Sequence, residues 1–502
     1  MISFAIALVL LVAGYFIYGR IIEKIFGIDA KRPTPAQTRP DGVDYIPMKP
    51  WRIFLIQFLN IAGVGPIFGA IMGAQFGTAS FLWIVFGSIF AGAVHDYLSG
   101  MISLRNDGAS LPEIHGKYLG NGVKQFMRGF MVLLMILVGA VFVSAPADLL
   151  DKLTNFNELF QKSESPFWQQ FAVKLSQLTE HWALYFWIIL IFIYYAIATM
   201  LPIDKIIGRI YPIFGICILF MVLGIMVMLF WHHPQLPEVW EGMPNMHPQA
   251  ATTPIFPMMF ISIACGAISG FHATQSPLMA RCMTNERQGR PIFYGAMITE
   301  GIVALVWAAA ATYFFQANPG TTDGASVIVD KISRDWLGTA GAILALLGVV
   351  AAPITSGDTA FRSARLIVAD FMHVDQKPVK NRLLVAIPLF VAGIGVLVFS
   401  IVSKDGFGII WRYFAWANQI LAAVTLWAVT VYLLQERKCF YVTLIPALFM
   451  TMVTSTFIFI APNGGFGLAP AVSYSIGGVV TVALLVGFIV YAAKERRKVK
   501  LQ

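Results

Sequence analysis

Residues 262–281 read SIACGAISGFHATQSPLMAR, and this stretch decides how the rest of the chain is read. It opens inside a long apolar run and should be crossing a membrane. Its middle, Ser269 to Pro277, is polar, contains Gly270 and Pro277, and carries His272, Thr274, Gln275 and Ser276. Proline has no N–H to donate and clashes with the preceding helical turn. Lipid supplies no partner for backbone groups freed by a break, so protein or a water-filled cavity must. Two readings fit. One is a helix interrupted at 269–277 whose break forms a binding site at membrane depth. The other is a Pro-kinked helix packed through small residues.

The composition supports the membrane setting. The chain has 502 residues, 58% hydrophobic and 12% charged, with mean hydropathy +0.73. Soluble domains carry about 25% charged residues. The net charge of +9 does not point to nucleic acid, because the cations sit in loops, as membrane orientation demands. Cys217, Cys265, Cys282 and Cys439 lie in or beside apolar segments with no CxxC, so neither a disulfide framework nor a zinc site is indicated. Residues 1–19 lack a basic leader region and a clear cleavage site, and read as a retained first span.

A span needs ~20 mainly apolar residues. Thirteen candidates are present, about 2–19, 53–76, 79–104, 123–145, 183–201, 206–231, 255–279, 292–316, 338–361, 383–402, 407–434, 440–461 and 472–493. With the N-terminus outside, loops 20–52, 105–128, 202–209, 281–290, 362–382, 435–439 and 494–502 face the cytoplasm. They hold 7, 4, 2, 3, 5, 2 and 5 Lys and Arg, 28 of the 35 in the chain. The remainder are Lys152, Lys162, Lys174, Lys331, Arg334, Lys404 and Arg412 on the other side. That bias predicts N-outside, C-inside. The outer loop 146–182 should carry a short surface helix, and residues 27–52, with five prolines, should form an extended linker.

A second interrupted segment sits where symmetry would place it. The second span reads NIAGVGPIFGAIMGAQFG, with Gly63, Gly65 and Pro66 beside the polar Asn60. It lies five spans before the seventh, so the two cross in opposite directions. Spans 2–6 (53–231) and 7–11 (255–435) then form two five-helix units of inverted topology. Residues 1–52 are a first span and linker, and residues 440–502 are two extra spans and a basic tail. The expected fold is an all-α polytopic membrane protein with a five-plus-five inverted-repeat core and two discontinuous helices. Interrupted segments in corresponding positions of two halves are a pointer to a transporter site.

Polar groups at membrane depth are costly and have a job or a partner. Asn60, Gly63, Gly65, Ser269, His272, Thr274, Gln275 and Ser276 are candidate substrate residues at the breaks, joined by Asn418 and Gln419 from the eleventh span. A half-helix N-terminus suits a carboxylate. Thr355 and Ser356 are candidate ligands for a coupling sodium ion, since adjacent hydroxyls and freed carbonyls suit a hard cation. Asp358 is either part of that ion site or gate, or the i,i+4 partner of Arg362. Glu300 is an isolated carboxylate and a candidate proton carrier. His95 and Asp96 fit a proton relay or a structural pair equally well.

No HExxH, GxSxG or P-loop pattern occurs in the chain. A catalytic role is therefore not expected, and no cofactor beyond a coupling proton or sodium ion. The expected partners are the bilayer and a small molecule, and the sequence leaves the oligomeric state open. A nutrient sensor that binds without moving its ligand, or an intramembrane hydrolase using His95/Asp96 or Asp358, are the alternatives. The sensor lacks a signalling module in these short loops.

The stretches IAGVGPIFGAIMGAQFG, FAGAVHDYLSGMISLRNDGASLPEI, SGFHATQSPLMARC, ITSGDTAFRSARLIVAD and RYFAWANQ, spread through residues 50–420, resemble the carbon starvation protein A family. The resemblance implies a secondary uptake carrier in a bacterial plasma membrane. Its substrates would be among peptides and pyruvate, with proton symport for the pyruvate members and a five-plus-five inverted-repeat fold.

Overall fold

The computed structural model describes residues 1–500 except 155, 157–159, 161, 164, 179–181, 202–206, 322, 404–405 and 463. Lys404 and residue 206, the start of the expected sixth span, lie outside the described residues. In chain order the helices are α1 (Ile2–Phe26), α2 (Pro50–Ile61), α3 (Gly65–Ala74), α4 (Ala79–Arg105), α5 (Leu111–Leu119) and α6 (Asn121–Thr154). There follow α7 (Pro166–Leu178), α8 (Trp182–Met200), α9 (Ile207–His232), α10 (Ile255–Ser262), α11 (Gly270–Ala280) and α12 (Glu286–Ala317). The last five are α13 (Ala325–Met372), α14 (Val379–Val402), α15 (Gly406–Gln435), α16 (Tyr441–Ile460) and α17 (Pro470–Lys500).

Eleven helices among the described residues are long and apolar enough to cross a bilayer. The other two expected spans, the second and the seventh, are the two broken ones. In the second, α2 and α3 meet at a bend of 53° across residues 62–64. α3 opens with a π-helical turn, Gly65–Gly69. In the seventh, α10 and α11 are separated by the non-helical stretch 263–269.

The seventh break corrects the expected one. HATQSP is helical, and the chain unwinds before it, at IACGAIS. Around Pro277, hydroxyls add bonds to several α11 carbonyls. Thr274 Oγ1 donates to Phe271 O, Ser276 Oγ to His272 O, and Ser363 Oγ to Thr274 O. A polar run that looks like a break is here helical, with its hydroxyls turned onto backbone carbonyls.

The two breaks lie against one another, and glycine makes the approach possible. A Cβ on Gly65 would stand 2.4 Å from Cys265 Sγ, and one on Gly69 would stand 2.7 Å from Ser262 O. Side chains are excluded there by backbone and thiol, so α3 and the stretch 263–269 are in direct contact.

Loops assigned to one side by charge meet one another. Arg105 binds Glu286 in a two-pronged pair at 2.9 and 2.8 Å and also reaches Gly27 O. At the other end, Glu238 accepts from the N–H groups of Ile2 and Ser3, and Thr78 Oγ1 donates to Gly242 O. The long loop after α6 carries α7. Residues 27–52 are not an extended linker. They include a helical turn, Pro35–Thr38, and bury Asp44 against the helical bundle. The rim of the molecule, including Ile189, Val398, Val479 and Val490, presents exposed apolar side chains, as a lipid-facing surface requires.

Candidate functional site

The site is built where α11 restarts the seventh span. The first N–H groups of a helix have no partner within it, and here α15 supplies one. Asn418 Oδ1 accepts from Phe271 N at 2.6 Å and from Ser269 Oγ at 3.1 Å, while its Nδ2 reaches back to Ser269 Oγ at 2.9 Å. Asn418 is therefore the cap of the broken helix. Gln419, beside it, donates to Phe260 O at 3.4 Å.

One turn into α11, four ionisable side chains from three segments form a chain. His95 Nδ1 lies 2.7 Å from Asp96 Oδ1. Asp96 Oδ2 lies 2.9 Å from His272 Nδ1. His272 Nε2 lies 3.4 Å from Glu300 Oε2, within ion-pair reach but not aligned as a hydrogen bond. All four are fully buried. In the sequence His95/Asp96, His272 and Glu300 stand as three separate candidates, and the structure brings them together as one network. Glu300 is not isolated.

On the helices that meet here, several buried polar atoms have, among the described residues, no hydrogen-bond partner, including both amide atoms of Asn60, Gln275 Oε1, Gln419 Oε1 and both Glu300 oxygens. Gln57, one turn before Asn60 on α2, has the same property. Gln57 was missed in the sequence, although a second amide three residues from Asn60 on an apolar helix was a readable signal. Buried polar groups left unpaired are destabilising, so such a cluster is suited to a polar ligand. Thr274 and Ser276 are spent on backbone carbonyls, and Gln275 Nε2 donates to Thr274 Oγ1.

The hydroxyl pair on α13 stands at the break between α2 and α3. Ser356 Oγ donates to Leu59 O, a carbonyl near the end of α2, at 3.1 Å. A Cβ on Gly63 would lie 3.2 Å from Ser356 Oγ. Thr355 Oγ1 turns to Ala352 O, and its own carbonyl accepts from Tyr211 OH. Asp358 does not pair with Arg362. Its Oδ2 accepts from Tyr194 OH at 2.9 Å and from Tyr211 OH. Arg362 turns instead to Asp44, at 3.1 Å, and to the carbonyls of Ala198 and Leu201. Spacing along the helix gave the wrong partner because two tyrosines from α8 and α9 were not visible to it. Among the described residues, no three His, Cys, Asp or Glu side chains surround a common point as a metal site would.

Comparison with known proteins gives the family and the fold. The sequence pattern of the family described as carbon starvation protein CstA matches residues 1–156, 159–326 and 316–457. A Bacillus subtilis protein named peptide transporter CstA is 26% identical, over 97% of this chain and 95% of that one. The Escherichia coli pyruvate/proton symporter BtsT is 28% identical, over 58% of this chain and 46% of its own length. A Haemophilus influenzae protein named only as a membrane protein is 46% identical over 64% of this chain and 92% of its own. Among solved structures, MhsT with L-phenylalanine aligns with TM-score 0.54 at 14% identity, over 86% of this chain and 98% of that one. An Eremococcus coleocola manganese transporter aligns with TM-score 0.52 at 12% identity, over 92% of this chain and 99% of that one. At such identities the likeness is one of fold, the inverted-repeat transporter fold. The helices, the paired breaks and the matched sequence agree, and the chain belongs to the carbon starvation protein CstA family.

Proposed function

We propose that the protein is a secondary transporter that takes small carboxylates or short peptides across the plasma membrane by proton-coupled alternating access, with its N-terminus outside. The observation that carries this reading is the buried chain His95–Asp96–His272–Glu300 beside the two breaks. Two imidazoles and two carboxylates are electrically neutral only when the number of protonated imidazoles equals the number of ionised carboxylates. Any other state buries net charge, which costs several kcal/mol. A proton added alone unbalances the cluster, and a carboxylate added alone unbalances it in the other sense. Together they leave it neutral. Proton and substrate then favour the same closed state, which is what coupling requires. The unpaired amides of Gln57 and Asn60, with Gln275 Oε1, supply donors and acceptors for the rest of the substrate.

A sodium-coupled version is favoured by the meeting of Ser356 Oγ and Leu59 O at the α2 break, where oxygen donors converge. The test separates the two. Labelled pyruvate and a labelled dipeptide are offered to proteoliposomes under an inward proton gradient or an inward sodium gradient. Accumulation under the proton gradient is expected. Accumulation under sodium alone would move the coupling site to Thr355 and Ser356. Binding without accumulation would favour a sensor.

A further inference from the structure

One buried histidine lies outside the network described above. α5 is too short to cross a bilayer and belongs to the loop 105–128, which the charge pattern places inside. Its residues Ile114, Gly116 and Lys117, with Arg105, Asn121 and Lys124, line a cavity of about 580 Å³ at that end of the molecule. His115 stands between Ile114 and Gly116 but is fully buried. Its Nε2 lies 3.2 Å from Thr425 Oγ1 on α15.

Counting protons fixes the form of this imidazole. A hydroxyl has one proton to give, and Thr425 Oγ1 gives its own to Leu421 O at 2.8 Å. The contact with His115 therefore takes its proton from the ring. That is the neutral imidazole with N–H at Nε2 and a bare lone pair at Nδ1. Among the described residues, His115 Nδ1 has no partner, and neither has Nε2 of His95. His95 holds Asp96 through its Nδ1, so its free nitrogen is the loose end of the buried chain. α5 packs on α4, α6, α11 and α15. Among the described residues of those helices, His95 is the titratable group whose charge acts on His115. Lys124 and Arg128 of α6 turn to Glu113, His272 of α11 to Asp96 and Glu300, and Tyr432 of α15 to Arg105.

We infer that His115 is the inward proton exit of the central network: it accepts at Nδ1 the proton that His95 carries at Nε2, directly or through a water, and passes it to solvent at the basic end of the molecule. This rests on the transport reading above. The protons balance. Protonated His95 loses its Nε2 proton and stays bonded to Asp96 as a neutral ring. His115 gains an N–H at Nδ1, becomes an imidazolium, and returns to neutral by giving one proton to water. Burial, with His95 adding to it, pushes the His115 imidazole down to about 3, against an ordinary value of about 6.5. While this end is dry, His115 does not take the proton and the network keeps it. Wetting of the inner end removes the larger cause, so release waits for opening, which is the order of events that symport needs.

Proteoliposomes holding the full chain separate release from the other steps. The labelled substrate is whichever of pyruvate and dialanine the wild type accumulates. Net uptake driven by a proton gradient needs the proton set free inside. Exchange of labelled outside substrate for unlabelled inside substrate does not, because the carrier returns loaded. His115→Gln should lower net uptake about tenfold or more and leave exchange within about twofold of wild type. Equal loss of both would make His115 structural, and loss of neither would remove it from the path; either result overturns the proposal. Should His115→Gln fail to fold, Thr425→Val leaves the histidine in place and removes the hydroxyl that sets its tautomer. Net uptake should then fall severalfold with exchange kept, and Thr425→Ser should restore it; no fall, or no rescue, overturns the relay. Nuclear magnetic resonance of isotope-labelled histidine ring nitrogens reads the same claim without transport. His115 should carry its one proton on Nε2 at pH 7 and stay neutral down to about pH 4. A charged ring, or a proton on Nδ1, overturns the proposal. Failed wild-type uptake of both substrates with the expected His115 spectrum would refute the transport reading alone. Normal wild-type uptake with unchanged net uptake in His115→Gln would refute the relay alone.

Discussion

His272 is the residue on which the site turns, because it touches a carboxylate on each side. Replacing it by alanine leaves Asp96 and Glu300 buried without their common partner, a loss of about 3–5 kcal/mol. His272→Ala should therefore lower the melting temperature as well as abolish uptake. Adding Asp96→Asn removes one uncompensated charge and should restore much of the melting temperature while uptake stays lost. If the double variant melts no higher than the single one, the stability effect is packing and not charge. Glu300→Gln is a milder change. It keeps the volume, and uptake should persist with a flattened pH dependence. A wild-type pH profile in that variant would remove Glu300 from the proton path. Each of these residues was legible in the sequence as a polar group at membrane depth. Their union was not, since six helices lie between those of His95 and His272 and nothing in the spacing says that α4 and α12 meet at α11.

At the scale of elements, the breaks were legible and their positions only in part. Gly63, Gly65 and Pro66 mark the first break directly. The second was read at the polar run and lies just before it, because Asn418 from a distant helix fixes where α11 can start. Asn418→Ala would leave the buried Phe271 N–H unsatisfied, at about 1–3 kcal/mol. Uptake should fall with stability, and Asn418→Asp, which keeps the acceptor, should recover part of it. Recovery by neither would show that the cap is not what positions α11. The segment around Asp44 was the least legible element. Its prolines suggested an extended linker, and its partners Arg362 and Arg365 lie more than three hundred residues away. The carboxyl of Asp44 is held below its ordinary value in the folded protein. Its stabilising effect is therefore complete above the unfolded value of about 3.9 and is lost as pH falls through the lower folded value. Hydrogen exchange over residues 41–48 should be much slower in wild type than in Asp44→Asn at pH 7, with the two converging only below about pH 4. Convergence already at neutral pH would show that the arginines do not hold the segment.

At the scale of the whole molecule, α17 lies at the edge. α17 packs on α16, and much of its surface is exposed and apolar, including Val479, Val482 and Val490. In a bilayer such a surface is already solvated by lipid, so removing the helix exposes little that lipid cannot cover. The family's sequence pattern also ends at residue 457, before α17 begins. A chain ending at residue 465 should therefore still take up substrate within about twofold of wild type. Loss of uptake with normal membrane insertion would place α17 in the working part of the protein. The same truncation tests orientation. The 28 Lys and Arg counted on one side include only 5 in the tail after residue 493, so the remaining loops should still hold the chain in the same direction. A tag at the end of the full chain should then be reached by protease only from inside. A tag at residue 465, one span earlier, should be reached only from outside. If both tags are open to the same side, α17 does not cross the membrane. If each is found on the side opposite to the expected one, the charge bias has been read backwards.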